Sequence, residues 1–205
     1  MKLFITLMIS SIALLSLNAC SLKVKPEDSC NFVRNSLQQR VSWNSSLPIN
    51  IYIHESFSNE KQAVPALTAA IKTWETALGK HLFTVAGVIG GSPTPSRDGV
   101  SIFYYMNTWE ADRPSEQART TIYWKGDQIV EGDIRINDKN FDFFSGDTIA
   151  ASSVDLESLF LHELGHLLGL AHNDVAGSVM AERLASGYKR RDANSADLAS
   201  LKCEY

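Results

Sequence analysis

One eleven-residue segment constrains this chain more than any other: HELGHLLGLAH, at residues 162–172. Apolar residues at three- and four-residue intervals predict a helix over residues 154–168, which includes the first part of this segment. Residues four apart lie above one another on a helix, so His162 and His166 present their imidazole rings on the same face. The sequence therefore directs two ring nitrogens toward one point.

The glycine of this segment determines where the third histidine can go. Gly169 stands where helices commonly end in a left-handed conformation, so it predicts the helix stop. Once the helix has ended, His172 can turn back toward the first two histidines. Three neutral imidazoles with a fourth position left open are typical of a catalytic zinc site. We therefore predict that His162, His166 and His172 hold one zinc ion.

Glu163 follows the first predicted ligand and is the candidate catalytic residue. Its carboxylate can reach a metal-bound water without ligating the metal, take the water's proton and pass it to a leaving amine. The alternative is a chance HExxH pattern, in which the histidines only flank the apolar face of a structural helix. The longer pattern favours catalysis because it fixes five residues and places its glycine at the predicted helix stop.

The segment closely resembles the metzincin consensus HExxHxxGxxH, and Met180 follows at the distance seen in the matrixin branch of that family. The resemblance implies that Met180 lies in a turn below the metal; taken alone, it would be an ordinary core residue. Residues 132–137 and 154–161 are similar to the matrixin segments that precede this helix. The resemblance implies a zinc-dependent endopeptidase whose protein or peptide substrate pairs with an edge strand at residues 120–125.

Further metal sites known in matrixins are not expected from this sequence. Vertebrate matrixins bind a second, structural zinc through additional histidines, but His54 and His81 lie in early predicted strands here. Calcium is possible but unsupported, because Asp127, Asp133 and Asp138 could equally be solvated turn residues. One catalytic zinc ion is therefore the cofactor that we predict.

The order of hydrophobic patterns predicts an α+β, or mixed α/β, domain. Five strands are expected, at residues 47–53, 81–88, 100–106, 120–125 and 128–137. Two helices are expected besides the one that carries the histidines, at residues 64–78, with a stop at Gly79, and at 195–203. The metzincin resemblance implies that the strands form a twisted, mostly parallel sheet.

The first residues predict export. Residues 1–19 combine a short positive start with an apolar run that is too short to span a membrane comfortably, which is typical of a signal peptide. The run leads into LNAC at residues 17–20, which resembles a bacterial lipobox, so we expect Cys20 to be lipidated. Ser21 resembles a signal for sorting to the outer membrane. An ordinary secretory signal that happens to contain a cysteine is the alternative.

The expected organisation is a signal peptide over residues 1–19, a lipidated amino terminus and tether over 20–46, and the catalytic domain over 47–205. An exported chain meets an oxidising compartment. Cys30 and Cys203 lie near opposite ends of the mature chain, and the ends of a domain are often close in space. We therefore predict a disulfide between them, with two free buried thiols as the alternative.

The charge balance bears on whether nucleic acid is a partner, and the intact site bears on whether the protein is an enzyme. Lys and Arg number 19 and Asp and Glu 23, and no basic stripe is present, so nucleic acid is not expected as a partner. We expect a monomer.

A zinc-binding surface lipoprotein, acting as an adhesin or assembly factor, is the alternative to an endopeptidase, and hydrolysis of a non-peptide amide is a third possibility. Glu163 favours the enzyme, because metal retention alone does not require it.

Overall fold

A computed structural model describes residues 30–205 of the chain. Five strands form the main sheet: β1 (Ile49–His54), β2 (Phe83–Ile89), β3 (Ser101–Met106), β4 (Ala118–Lys125) and β5 (Gln128–Asn137). The described residues also contain the α-helices α1 (Ala63–Leu78), α2 (Leu156–Leu167) and α3 (Ser195–Leu201). A 3-10 helix at Glu55–Asn59 and the short paired strands β6 (Phe143–Phe144) and β7 (Val154–Asp155) complete the set for this part of the chain.

The main sheet has the strand order β2-β1-β3-β5-β4. The first four of these strands are parallel to their neighbours, and β4 runs antiparallel to β5. The predictions of an α+β fold and of a mostly parallel five-stranded sheet are therefore confirmed. A tight turn joins β4 to β5, and β4 forms one edge of the sheet, with no strand beyond it among the described residues.

The helices α1 and α2 pack together beside this sheet. One face of α1 is apolar and buried, with Leu67 and Trp74 almost fully enclosed. The indole nitrogen of Trp74 donates a hydrogen bond to the Leu161 carbonyl at 2.9 Å, which joins the two helices. α1 ends before Gly79, which has a φ of +69°, so the predicted stop is confirmed.

Residues 30–46, which the sequence pattern assigned to a tether, belong to the domain. Phe32, Val41 and Trp43 are buried in the main core. These apolar residues are too sparse to show the period of a helix or a strand, and contacts with distant parts of the chain bury them. The segment therefore packs before β1 begins, and the described part of the domain includes it from residue 30.

A disulfide bond joins Cys30 to Cys203, with a Cα–Cα distance of 6.1 Å. It connects the beginning of the described chain to the turn that follows α3. None of the helices within residues 30–205 is long and apolar enough to cross a lipid bilayer. The expected signal peptide and Cys20 lie outside the described residues.

Candidate functional site

The helix α2 begins at a defined cap and carries two of the three histidines. The side chain of Asp155 accepts a hydrogen bond from the Ser158 backbone N–H at 3.1 Å, which satisfies one of the unpaired donors at the helix start. Most of α2 is buried in the core, whereas His162 and His166 are half-buried. The helix therefore presents these two rings toward a cleft.

α2 ends where the sequence predicts. Leu167 is its last residue, and Gly169 has a φ of +97°, a conformation that side chains rarely adopt. A Cβ atom on Gly169 would overlap the carbonyl oxygen of Val41, so both the backbone conformation and the space require glycine. The chain then leaves the helix axis, which allows His172 to return toward the helix.

The structure brings the three predicted ligands together at their Nε2 atoms. The distances are 3.0 Å between His162 and His166, 3.0 Å between His166 and His172, and 3.2 Å between His162 and His172. Four tetrahedral ligands with bonds of about 2.0–2.1 Å to zinc lie about 3.3 Å from one another. The spacing of the three nitrogens therefore fits a single zinc ion.

Hydrogen bonds on the other ring nitrogens set the tautomers. His162 Nδ1 donates to the Val179 carbonyl at 2.7 Å, and His166 Nδ1 donates to the Leu170 carbonyl at 2.8 Å. Each of these neutral rings therefore carries its lone pair on Nε2, the atom that points at the other histidines. Two lone pairs about 3 Å apart repel each other, and a bound cation removes this repulsion.

Burial keeps these two rings in the form that binds metal. It lowers the pKa of His162 and of His166 to about 4. Both imidazoles are therefore neutral near pH 7. Burial has the opposite effect on the carboxyl group of Glu163, whose pKa it raises.

Thr120 on β4 contacts the candidate general base directly. Its hydroxyl donates a hydrogen bond to Glu163 Oε2 at 2.6 Å. Glu163 is only 4% exposed, so this bond is an important restraint on the direction of its carboxylate. The contact spans 43 residues of sequence, and no local pattern could have identified Thr120.

A cleft of about 1220 Å³ passes over the histidines and Glu163. β4 lines one side through Ala118, Thr120 and Ile122, and the loop after Met180 lines the other side. Most small-molecule pockets are about 300–1,000 Å³, so this cleft is larger than most of them. Its position beside the edge strand fits a peptide that pairs with β4.

Met180 lies against α2 at Gly165, the residue before His166. It is fully buried, and a Cβ atom on Gly165 would overlap its sulfur. The turn before it is held by Asp197 of α3, which accepts hydrogen bonds from the Ser178 hydroxyl and from the Val179 backbone N–H. Asp197 has a recognisable helix-capping pattern, but its contact with this turn cannot be read from that pattern.

The other candidate ligands remain apart from the site. His54 contacts Ser56 and the Gly91 carbonyl, and His81 contacts Glu75 and Thr84. Among residues 30–205, the trio is the one group of three or more histidine, cysteine or acidic side chains that could hold a common metal ion.

Comparisons with known proteins agree with this geometry. The family model of Matrixin matches residues 43–202. Metalloendoproteinase 2-MMP of Arabidopsis thaliana is 39% identical over 54 residues, which are 26% of this chain and 14% of that protein. Metalloendoproteinase 5-MMP of the same plant is 36% identical over 52 residues, which are 25% of this chain and 14% of that protein. The matches to these two relatives are short, but the family model covers most of the chain, and the chain therefore belongs to the matrixin family.

Proposed function

We propose that this protein is a zinc-dependent endopeptidase. The observation that carries the proposal is the convergence of three imidazole Nε2 atoms beside the buried carboxyl group of Glu163. Membership of the matrixin family and the large cleft beside β4 support it. A binding protein would need the three histidines but would have no use for a buried acid next to them.

His162, His166 and His172 are the residues that would hold the zinc ion. When bound, zinc polarises the scissile carbonyl and lowers the pKa of a coordinated water. Glu163 then accepts the proton of the attacking water and delivers it to the leaving amine. Burial raises the pKa of Glu163, which makes its carboxylate a stronger base than that of an exposed glutamate.

The substrate that fits this cleft is an extended peptide. β4 lies at the edge of the sheet, and its backbone can form hydrogen bonds with a second chain. A peptide in this position would lie over Thr120, with the bond to be cleaved near the three histidines. We therefore propose protein or peptide substrates.

The first test is cleavage of casein or gelatin by the purified protein. We expect activity that a chelator removes and added zinc restores. Glu163→Gln should reduce the rate about a hundred- to ten-thousand-fold, the range for loss of a general acid–base group, while zinc content stays at the wild-type level. Equal inertness of wild type and variant on broad peptide libraries, with zinc still bound, would instead favour an adhesin or assembly factor.

We also propose that the protein is exported and anchored in the outer membrane through a lipid on Cys20, after removal of residues 1–19. The lipobox-like sequence supports this proposal, and so does the disulfide between Cys30 and Cys203, since such bonds persist in oxidising compartments. Mass spectrometry of the mature amino terminus tests it. A diacylglyceryl-modified Cys20 is expected, and an unmodified mature chain that begins after Cys20 would refute the anchor.

A further inference from the structure

The third histidine differs from the other two in how it is held. His162 and His166 are fixed by α2, whereas His172 is exposed and lies beyond the end of the helix. We call residues 167–172 the exit segment, because it carries the chain from the last residue of α2 to His172. The position of His172 therefore depends on what holds the exit segment.

Every carbonyl group of the exit segment accepts a hydrogen bond. The donors are the Trp43 indole for Leu167, the Tyr205 hydroxyl for Leu168, the Val33 backbone N–H for Gly169, the His166 ring for Leu170, and the Asn31 side chain for both Ala171 and His172. Four of these five donor residues belong to residues 30–43 or to the last residue of the chain. The two ends of the domain therefore fix the path to His172.

Asn31 makes the contacts nearest to the third ligand. Its amide nitrogen donates to the Ala171 carbonyl at 2.7 Å and to the His172 carbonyl at 3.0 Å. Its backbone carbonyl accepts a hydrogen bond from the Ala171 N–H at 2.9 Å. Asn31 thus binds the backbone of both Ala171 and His172, the two residues joined by the peptide bond that precedes the third ligand.

Asn31 is itself anchored to α3. The neighbouring Cys30 is bonded to Cys203, and the Asn31 backbone N–H donates to the Ser200 hydroxyl at 3.3 Å. Asn31, Cys30 and Cys203 all lie outside the residues matched by the Matrixin family model, 43–202. This connection to the metal site is therefore built from parts of the chain that the family pattern does not include.

We propose that Asn31, held in place by the Cys30–Cys203 disulfide, is a positioning residue for His172. The inference rests on the proposed binding of zinc by the three histidines. With Asn31 in place, the His172 ring is presented to the metal at little cost in conformational freedom. Without it, this ligand can leave the metal while the helical pair stays bound, so zinc is released faster.

The test is the rate at which zinc passes from the zinc-loaded, disulfide-bonded protein to a chromogenic chelator. We expect about ten-fold faster release from Asn31→Ala, the lower end of the range for residues that orient metal ligands. Asn35→Ala is the matched control. Asn35 belongs to the same segment and bonds Gln39 and the Gly126 carbonyl, with no hydrogen bond to the exit segment. Its removal should leave the release rate within two-fold of wild type.

A double variant, Cys30→Ser with Cys203→Ser, tests the anchor. It should also release zinc faster, and adding Asn31→Ala to it should have a smaller effect than in the disulfide-bonded protein. The inference would be overturned if Asn31→Ala released zinc at the wild-type rate, or if the release rate rose equally in Asn31→Ala and Asn35→Ala. Either result would leave the peptidase proposal intact. A wild-type protein that binds no zinc would overturn both.

Discussion

The carboxyl group of Glu163 is oriented by a residue from outside its own helix. Thr120 reaches it from β4, the strand that we expect to bind the substrate. The same hydroxyl lies 3.3 Å from the Glu163 backbone carbonyl, so it is close to both ends of this residue. In the proposed mechanism, substrate binding on β4 and proton transfer by Glu163 therefore share one contact.

Replacing Thr120 with valine keeps the shape of the side chain and removes the donor. A hydrogen bond to a charged group contributes about 1.5–3 kcal/mol, so we expect kcat to fall about ten-fold or more, with a smaller change in KM. Thr120→Ser should restore most of the rate. Steady-state kinetics on a fluorogenic peptide measures both quantities, and a valine variant with wild-type kcat would remove Thr120 from the mechanism.

Asp133 is a buried carboxyl group that lies outside the metal site. It is 1% exposed, Oδ1 accepts a hydrogen bond from the Ile102 N–H, and Oδ2 has no partner among the described residues. Burial raises its pKa from 3.8 to about 7. The stability that this shift contributes is present below pH 3.8 and is lost as the pH rises through 7.

Asp133→Asn removes this ionisation and keeps the acceptor for Ile102. We expect the variant to be more stable than wild type by about 1–2 kcal/mol at pH 8.5, and the difference to shrink or reverse at pH 5. Thermal unfolding at the two pH values provides the comparison. If Asp133→Asn were less stable than wild type by the same amount at both pH values, the charge on Asp133 would not be what limits stability at high pH.

At the scale of elements, the stop of α2 is the feature on which the site depends. Gly169 adopts a left-handed conformation, and it also has no room for a side chain, because the Val41 carbonyl and the Phe32 ring lie against it. Gly79 ends α1 with a similar φ of +69°, but nothing lies within 4 Å of the place where its Cβ would be. A comparison of these two glycines therefore separates the cost of a left-handed backbone from the cost of crowding by neighbouring atoms.

We predict that Gly169→Ala costs about 3 kcal/mol or more, whereas Gly79→Ala costs about 1 kcal/mol. The first variant must shift the backbone of residue 41 or of the exit segment, and it should also weaken zinc binding. Urea denaturation and zinc titration measure the two effects. Similar losses of stability in both variants would mean that crowding by Val41 contributes little.

The sequence predicts the elements well because each has its own local signal. The strand at 128–137 follows a Gly-Asp turn, and its bounds are those of β5. The helix that carries the histidines has a capping acid, an apolar face and a glycine stop within 15 residues. The two-residue strands and the 3-10 helix are too short to produce a period, and they were not predicted.

The same reasoning explains which parts of the site could be predicted. The three histidines and Glu163 lie in one short segment. Helical spacing places His162, Glu163 and His166, and the glycine stop allows His172 to return toward them. Thr120 and Asn31 act across 43 and 140 residues, and a threonine or an asparagine has many ordinary roles. Only the folded structure brings these two residues to the site.

At the scale of the whole molecule, the two ends of the described chain meet beside the exit segment. The Cys30–Cys203 bond closes a loop with a sequence separation of 173 residues, and Tyr205 packs against Phe32. Closing so long a loop reduces the freedom of the unfolded chain. The disulfide therefore supports both the stability of the domain and the position of the third ligand.

Replacing both Cys30 and Cys203 with serine should lower the free energy of unfolding by up to about 4–5 kcal/mol, the value that the chain-entropy model gives for a long loop. Urea denaturation of the zinc-free wild type and variant makes the comparison without a contribution from metal. An unchanged midpoint would show that noncovalent contacts alone keep the two ends together.

The central claim is that His162, His166 and His172 hold one zinc ion beside Glu163. Anomalous diffraction from crystals of the zinc-loaded protein, recorded on both sides of the zinc absorption edge, tests it most directly. We expect one strong peak about 2.0–2.1 Å from all three Nε2 atoms. A zinc-loaded crystal with no peak at the trio, or with His172 turned away from the metal, would contradict the claim.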